Sequence, residues 1–314
     1  MEESLASSTA ATARSPPYGE SPASKHQNGS TESPRSTPVP SSVIRLWRPA
    51  AQRNVRNQWS KLASYKQQWT SSSSSARQHA TSVVNSYLSQ RYMNSMELGA
   101  LSDMPDIKKK AAWKLFKQQE MHQSKLLSSY KDMVAIVMHM VNASRSMRSY
   151  LKGAGSPLVQ FSNFSEDNSD SGDGGGIPVY TFWSVSSFEQ LAQELVQMFT
   201  LELNLKRLLV VELLSINSQE DLISNGVCWL DELYPGESDD LCVCGLYSKE
   251  VCEPLEPKLR DRDSKVPVEQ PNHKPEAEVL QVYLTAWLAE VNIDMYRVEE
   301  IFAVVGEEMH VSLC

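Results

Sequence analysis

The sequence predicts a mostly α-helical fold: a disordered N-terminal tail, a long antiparallel helical hairpin, and a smaller helical C-terminal module with little or no sheet. Three observations lead there. Apolar residues recur at steps of three and four across 43–93 and again across 105–151. A turn-like stretch from Leu98-Gly99 to Pro105 separates the two. The segment 186–216 is then apolar on nearly every side, so it needs cover that only other helices can supply.

Residues 1–44 are mostly Ser, Thr, Pro and Ala and cannot bury enough surface to offset ordering entropy. They explain a hydrophobic fraction of 41%, below the usual value of about 45–50%. Ser15, Ser21, Ser33 and Thr37 each precede a proline and are candidate phosphorylation sites. From 43 to 93, Val55, Trp59, Leu62, Trp69, Ala76, Ala80, Val83 and Tyr87 mark a coiled-coil-like stripe whose slots at Lys66 and Ser73 are polar. The Ser71–Ser75 run invites a local break. Asp103 is read as the N-cap of the second helix, with Pro105 near its first turn. That helix carries the stripe Leu126, Tyr130, Met133, Val137, Met140, Ser144, Met147, Leu151, and its Met-rich part, 133–147, doubles as a candidate adaptable groove.

The domain reading is 45–152 for the basic hairpin, 153–176 for an acidic Gly/Ser linker, and 177–251 for the central apolar helix with an irregular segment. A Pro-rich linker, 252–275, and a C-terminal helical hairpin, 276–314, packing on 186–216, complete it. Ile177–Trp183 reads as a short extended segment. Ser186-x-x-Glu189 reads as a capping box, and Gln190, Gln193, Gln197, Thr200, Asn204 and Arg207 read as the one water-facing stripe of the central helix. Asp294 should cap the last helix and Gly306 end it.

Charge divides the chain. Residues 1–152 hold 21 Lys and Arg against 9 Asp and Glu, a net +12; residues 153–314 hold 9 against 29, a net −20. The halves therefore either serve different partners or partner one another. Arg45, Arg48, Arg53, Arg56, Lys61 and Lys66, with Lys108, Lys109, Lys110, Lys114 and Lys117, are candidates for an anionic surface, interleaved with Trp47, Trp59, Trp69 and Trp113. In an antiparallel hairpin these two groups fall at opposite ends.

Catalytic chemistry is hard to find. The chain has no GxGxxG, GxxxxGK[ST] or HExxH pattern, and its six His are scattered. Cys228, Cys242, Cys244 and Cys252 are four thiols that could hold zinc, but a C-x13-C-x-C-x7-C spacing lacks paired knuckles. In LCVCGLY the two Cys alternate with apolar residues as they would in an extended segment. No cofactor and no metal are expected, and no apolar run reaches the roughly 18 residues that would span a membrane. The absence of an apolar leader and the odd count of five Cys favour a reducing nuclear or cytoplasmic setting. These features describe a non-enzymatic helical scaffold or adaptor acting through protein–protein contacts on apolar helical faces. The alternative is a binder of an anionic polymer, microtubule or nucleic acid, through 45–152, with a zinc-stabilised module behind it. One consequence is direct: deleting residues 1–44 should leave the unfolding free energy unchanged within about 1 kcal/mol in denaturant melts.

Overall fold

The computed structural model describes residues 41–104, 106–151, 159–160, 171–216, 227–247, 253–257 and 275–313. All of them belong to one compact unit, Val39–Cys314. Six α-helices, a single 3-10 turn and a two-residue β-ladder make up its regular structure among the described residues.

The first helix, α1 (Ser41–Met93), is 53 residues long, or about 80 Å at 1.5 Å per residue. It runs without interruption through Pro49 and through Ser71–Ser75. Packing overrides the middling propensity of that serine run, because Ser73 and Ala76 are buried against neighbouring helices. Every residue of the stripe from Val55 to Tyr87 is buried. Its two polar slots are where the C-terminal hairpin docks: Lys66 lies over the Phe302 ring, and Ser73 Oγ donates to Glu290.

The second helix, α2 (Ile107–Arg145), lies antiparallel on α1. It starts after Asp106, not Asp103, and Asp106 makes no side-chain cap. It also ends six residues before Leu151, because side chains of α1 hold the released carbonyls. Asn54 Nδ2 donates to Ser146, Met147 and Arg148 at 2.8, 3.0 and 3.3 Å, and Trp47 Nε1 donates to Ser149 at 2.9 Å. The Met-rich stretch is core here, with Met133, Met140 and Met147 fully buried. Beyond it, β1 (Tyr150–Leu151) pairs antiparallel with β2 (Val159–Gln160).

Within the expected linker 153–176, the described part from 171 lies packed on the hairpin. Gly172 and Gly174 adopt φ of +70° and +68°, and a Cβ on either would meet the Tyr150 or Trp47 ring within 2.6 Å. Only glycine lets this backbone lie flat on those rings. Residues 177–184 form a bent turn instead of an extended strand, because α1 holds it from one side and Glu308, near the C-terminus, from the other. Arg48 and Gln52 donate to the Val179 carbonyl, while Glu308 Oε1 accepts the amides of Thr181, Phe182 and Trp183.

The central helix, α3 (Val185–Ser215), follows N-cap Ser184. The capping box does not form, since Glu189 is drawn into a two-pronged ion pair with Arg148 at 2.9 and 3.0 Å. Gln190, Gln193 and Gln197 face water as the stripe requires, but Asn204 and Arg207 are buried and Leu201 is exposed in their stead. The reason is that the chain beyond α3 folds back over this end. Arg207 bridges to Glu237 at 3.0 and 3.3 Å and donates to the carbonyls of Trp229 and Asp231. Glu237 opens α4 (Glu237–Val243), a short helix that takes in Leu241–Val243 of the supposedly extended LCVCGLY segment and gives way at Gly245, φ +74°.

The last two helices are α5 (Ala277–Ala289) and α6 (Met295–Met309). α5 packs on α1 as well as on α3: Trp287 Nε1 donates to the Ser73 carbonyl, and Trp69 Nε1 donates to Glu290. Asp294 caps α6 through Tyr296 N and Arg297 N as expected. Gly306 does not end α6; it lies inside the helix, which stops at His310 (φ +55°). A side chain at Gly306 would strike the Val311 carbonyl as the chain turns back. Trp287 joins α1, α3 and α5, so Trp287→Ala should lower the unfolding free energy by about 3–5 kcal/mol in chemical denaturation.

Candidate functional site

The best candidate for a working surface is the tip of the hairpin, where the cover provided by α3–α6 ends. α1 stops at Met93, and the chain crosses to α2 through successive one-turn hydrogen bonds: Leu101 N to Leu98 O, Met104 N to Leu101 O, and Ile107 N to Met104 O. Lys108 Nζ reaches back to the carbonyls of Asn94 and Met96, capping the end of α1 with a cation as the helix dipole favours. This closed turn leaves large apolar side chains in water. Tyr92, Met96, Leu101, Met104 and Trp113 are all exposed, Trp113 at 56%. Trp113 stacks on Phe116 at 5.9 Å between centroids, and Lys117 Nζ lies 4.8 and 5.4 Å from the two rings. Lys109, Lys110 and Lys114 are exposed around them. The surface can thus offer an apolar contact edged by cations.

The eleven basic candidates divide by location and by occupation. Arg45, Arg53, Arg56 and Lys61 are exposed near the start of α1. Arg48 is engaged with the carbonyls of Val179 and Tyr180, and Lys66 with Phe302. Lys117 pairs with Glu120 at 2.7 Å in addition to its aromatic contacts. The antiparallel pairing of Asn54 with Met147 and of Gln90 with Gln119 puts the two groups at opposite ends. They do not merge into one patch.

Ser15, Ser21, Ser33 and Thr37 lie outside the described residues, as does Cys252. Cys228 and Cys242 are exposed and Cys244 is buried. Burial, together with the nearby Asp240 carboxylate, pushes the Cys244 thiol up to about 12, which disfavours the thiolate a metal needs. Among the described residues no group of three or more His, Cys, Asp or Glu side chains converges on a metal-sized site.

Two groupings escaped sequence reasoning. The first is the buried network around Glu237, which accepts Tyr130 OH at 2.7 Å and Leu233 N at 2.7 Å besides Arg207. Burial and the Glu237 charge hold the Tyr130 phenol well above its ordinary range, so it stays a donor. The second is His79 and His122, 43 positions apart, whose Nδ1 atoms lie 3.4 Å from each other. The hairpin register was the signal that could have paired them.

No family model, curated protein or solved structure gives a significant match to this chain. The thiols offer a check on the buried and exposed assignments. Iodoacetamide at pH 8 should label native Cys228 and Cys242 quickly, and Cys244 at least ten times more slowly until denaturant is added, as read by peptide mass spectrometry.

Proposed function

We propose that the chain is a non-enzymatic helical scaffold or adaptor of a nuclear or cytoplasmic setting, and that the hairpin tip is its principal docking surface. The observation that carries this reading is Trp113, exposed at 56% on the first turns of α2, with Phe116 and Lys117 stacked beside it and Met96, Leu101 and Met104 exposed in the adjoining turn. The matching partner presents apolar side chains flanked by Asp or Glu. The C-terminal helices support the same reading with exposed apolar and acidic side chains of their own. Val282, Leu288, Met295 and Tyr296 are exposed there, among Glu278, Glu299 and Glu300. Two such regions suit a protein that holds two others. Phosphorylation of the tail at Ser15, Ser21, Ser33 or Thr37 is the regulatory part of the proposal.

A second reading is favoured by the same aromatic pair. A base can stack on an exposed Trp while lysines meet the phosphates, so the tip could serve an anionic polymer. The experiment that separates the two uses the full chain with a photo-crosslinking residue at position 109. The adaptor reading expects a protein adduct and an association that Trp113→Ala weakens at least tenfold with little salt dependence. Capture of nucleic acid or microtubules would overturn it, with affinity falling at a log–log salt slope of about −3 to −4 for four lysines.

A further inference from the structure

We propose that His79 of α1 and His122 of α2 form a zinc site that staples the two long helices together. The argument begins with a distance. Two Zn–N bonds of about 2.0–2.1 Å at the tetrahedral angle separate their nitrogens by about 3.3–3.4 Å. The two Nδ1 atoms stand 3.4 Å apart, with ring centroids 5.5 Å apart and planes inclined at 34°. At a right angle, as in an octahedral site, the same bonds would bring the nitrogens to about 2.9 Å. The observed spacing therefore fits the tetrahedral ion that imidazole nitrogens commonly hold, with the metal about 1.2 Å off the line joining the two atoms.

Access and protonation agree with that geometry. Both rings are only partly buried, so an ion can enter from solvent and keep water in its other two positions. Burial lowers both imidazoles from their ordinary range, with His122 and Lys125 adding to the shift at His79 and Lys125 at His122, and so favours the neutral form that ligates. Lys125 is the opposing feature: its cation stands near both rings and repels an incoming dication. Without metal, one imidazole donates its Nδ1 proton to the other. Binding shifts that proton to Nε2 of the same ring, with no net release, and exchanges a single hydrogen bond for two coordinate bonds. The ligands come from different helices, so the ion binds the packed hairpin and not the separated strands of an unfolded chain.

The test is a titration of the full chain with Zn2+ by calorimetry near pH 7.5, repeated with Co2+ as a spectroscopic stand-in. We expect one equivalent bound with micromolar affinity and a rise in Tm. Affinity should fall at least tenfold in His79→Gln and in His122→Gln, but not in His139→Gln. The Co2+ adduct should show no thiolate charge-transfer absorption. A measurement on the unaltered chain guards against misfolded variants: Zn2+ should protect His79 and His122 from diethyl pyrocarbonate while the exposed His139 and His310 still react. Thiolate absorption, equal binding by the variants, binding only at millimolar metal, or unprotected His79 and His122 rings would each overturn the proposal.

Discussion

Three charged side chains of α3, Glu202, Lys206 and Arg207, are withdrawn from water, and that withdrawal decides where the later segments lie. An unpaired charge in such a place costs several kcal/mol. Each is therefore met by a group from elsewhere in the chain. Glu202 faces Lys206 at 2.8 Å and accepts both nitrogens of Asn292 at 3.0 Å. Lys206 donates to the Trp287 carbonyl at 2.5 Å, with its ammonium 4.8 Å from the same ring. Burial still lowers the Lys206 pKa, with Glu202 opposing the shift. Arg207 gathers Glu237 and the carbonyls of Trp229 and Asp231, and lies over the Trp229 ring. Less than two turns of one helix, Glu202 to Arg207, thus fix the end of α5, the turn before α6, and the start of α4.

The same economy recurs wherever a helix ends. The last four carbonyls of an α-helix have no partner within it, and an uncovered one inside a protein costs a hydrogen bond. Here the partners arrive from the adjacent helix. Asn54 serves the end of α2, Gln119 and Gln123 serve the end of α3, and Lys206 serves the end of α5. These side chains do two jobs at once. They satisfy orphan groups, and by their position they fix how far one helix slides along another, which greasy stripes alone leave loosely specified.

That distinction explains what the sequence revealed. The stripes from Val55 to Tyr87 and from Leu126 to Met147 were legible because repeated burial of one face leaves a period that no single residue can hide. Helix ends were not legible. Arg207 looked like part of a wet stripe, and Glu189 like a capping residue, because what each contacts is set by segments far along the chain. Polar slots carried more information than they first suggest. Lys66 and Ser73 break the heptad where α5 and α6 arrive, so a flaw in one stripe marks the seat of a third element. The candidate tip was half legible: its lysines and Trp113 were evident, but their joint exposure with Met96 and Met104 required the turn to close.

The uneven cover of the hairpin bears most on how such a chain could act. Through its middle and at its open end, α1 and α2 are tied down by α3, by the docked turn at 177–184 and by the C-terminal helices, and most large side chains there are buried, with Leu46 and Phe182 among the exceptions at 52% and 78% exposure. Nothing among the described residues does the same for the turn at 94–104, although its apolar content is as high. A turn needs only small polar residues to reverse the chain, so Met96, Leu101 and Met104 are not demanded by the reversal itself. Burial elsewhere in this chain is thorough enough to hold even Lys206 and Arg207 out of water. Exposed Met and Trp beside lysines are a feature that folding alone leaves unexplained, and their clustering with an aromatic pair is what supports the docking role proposed for the tip over the more densely charged start of α1.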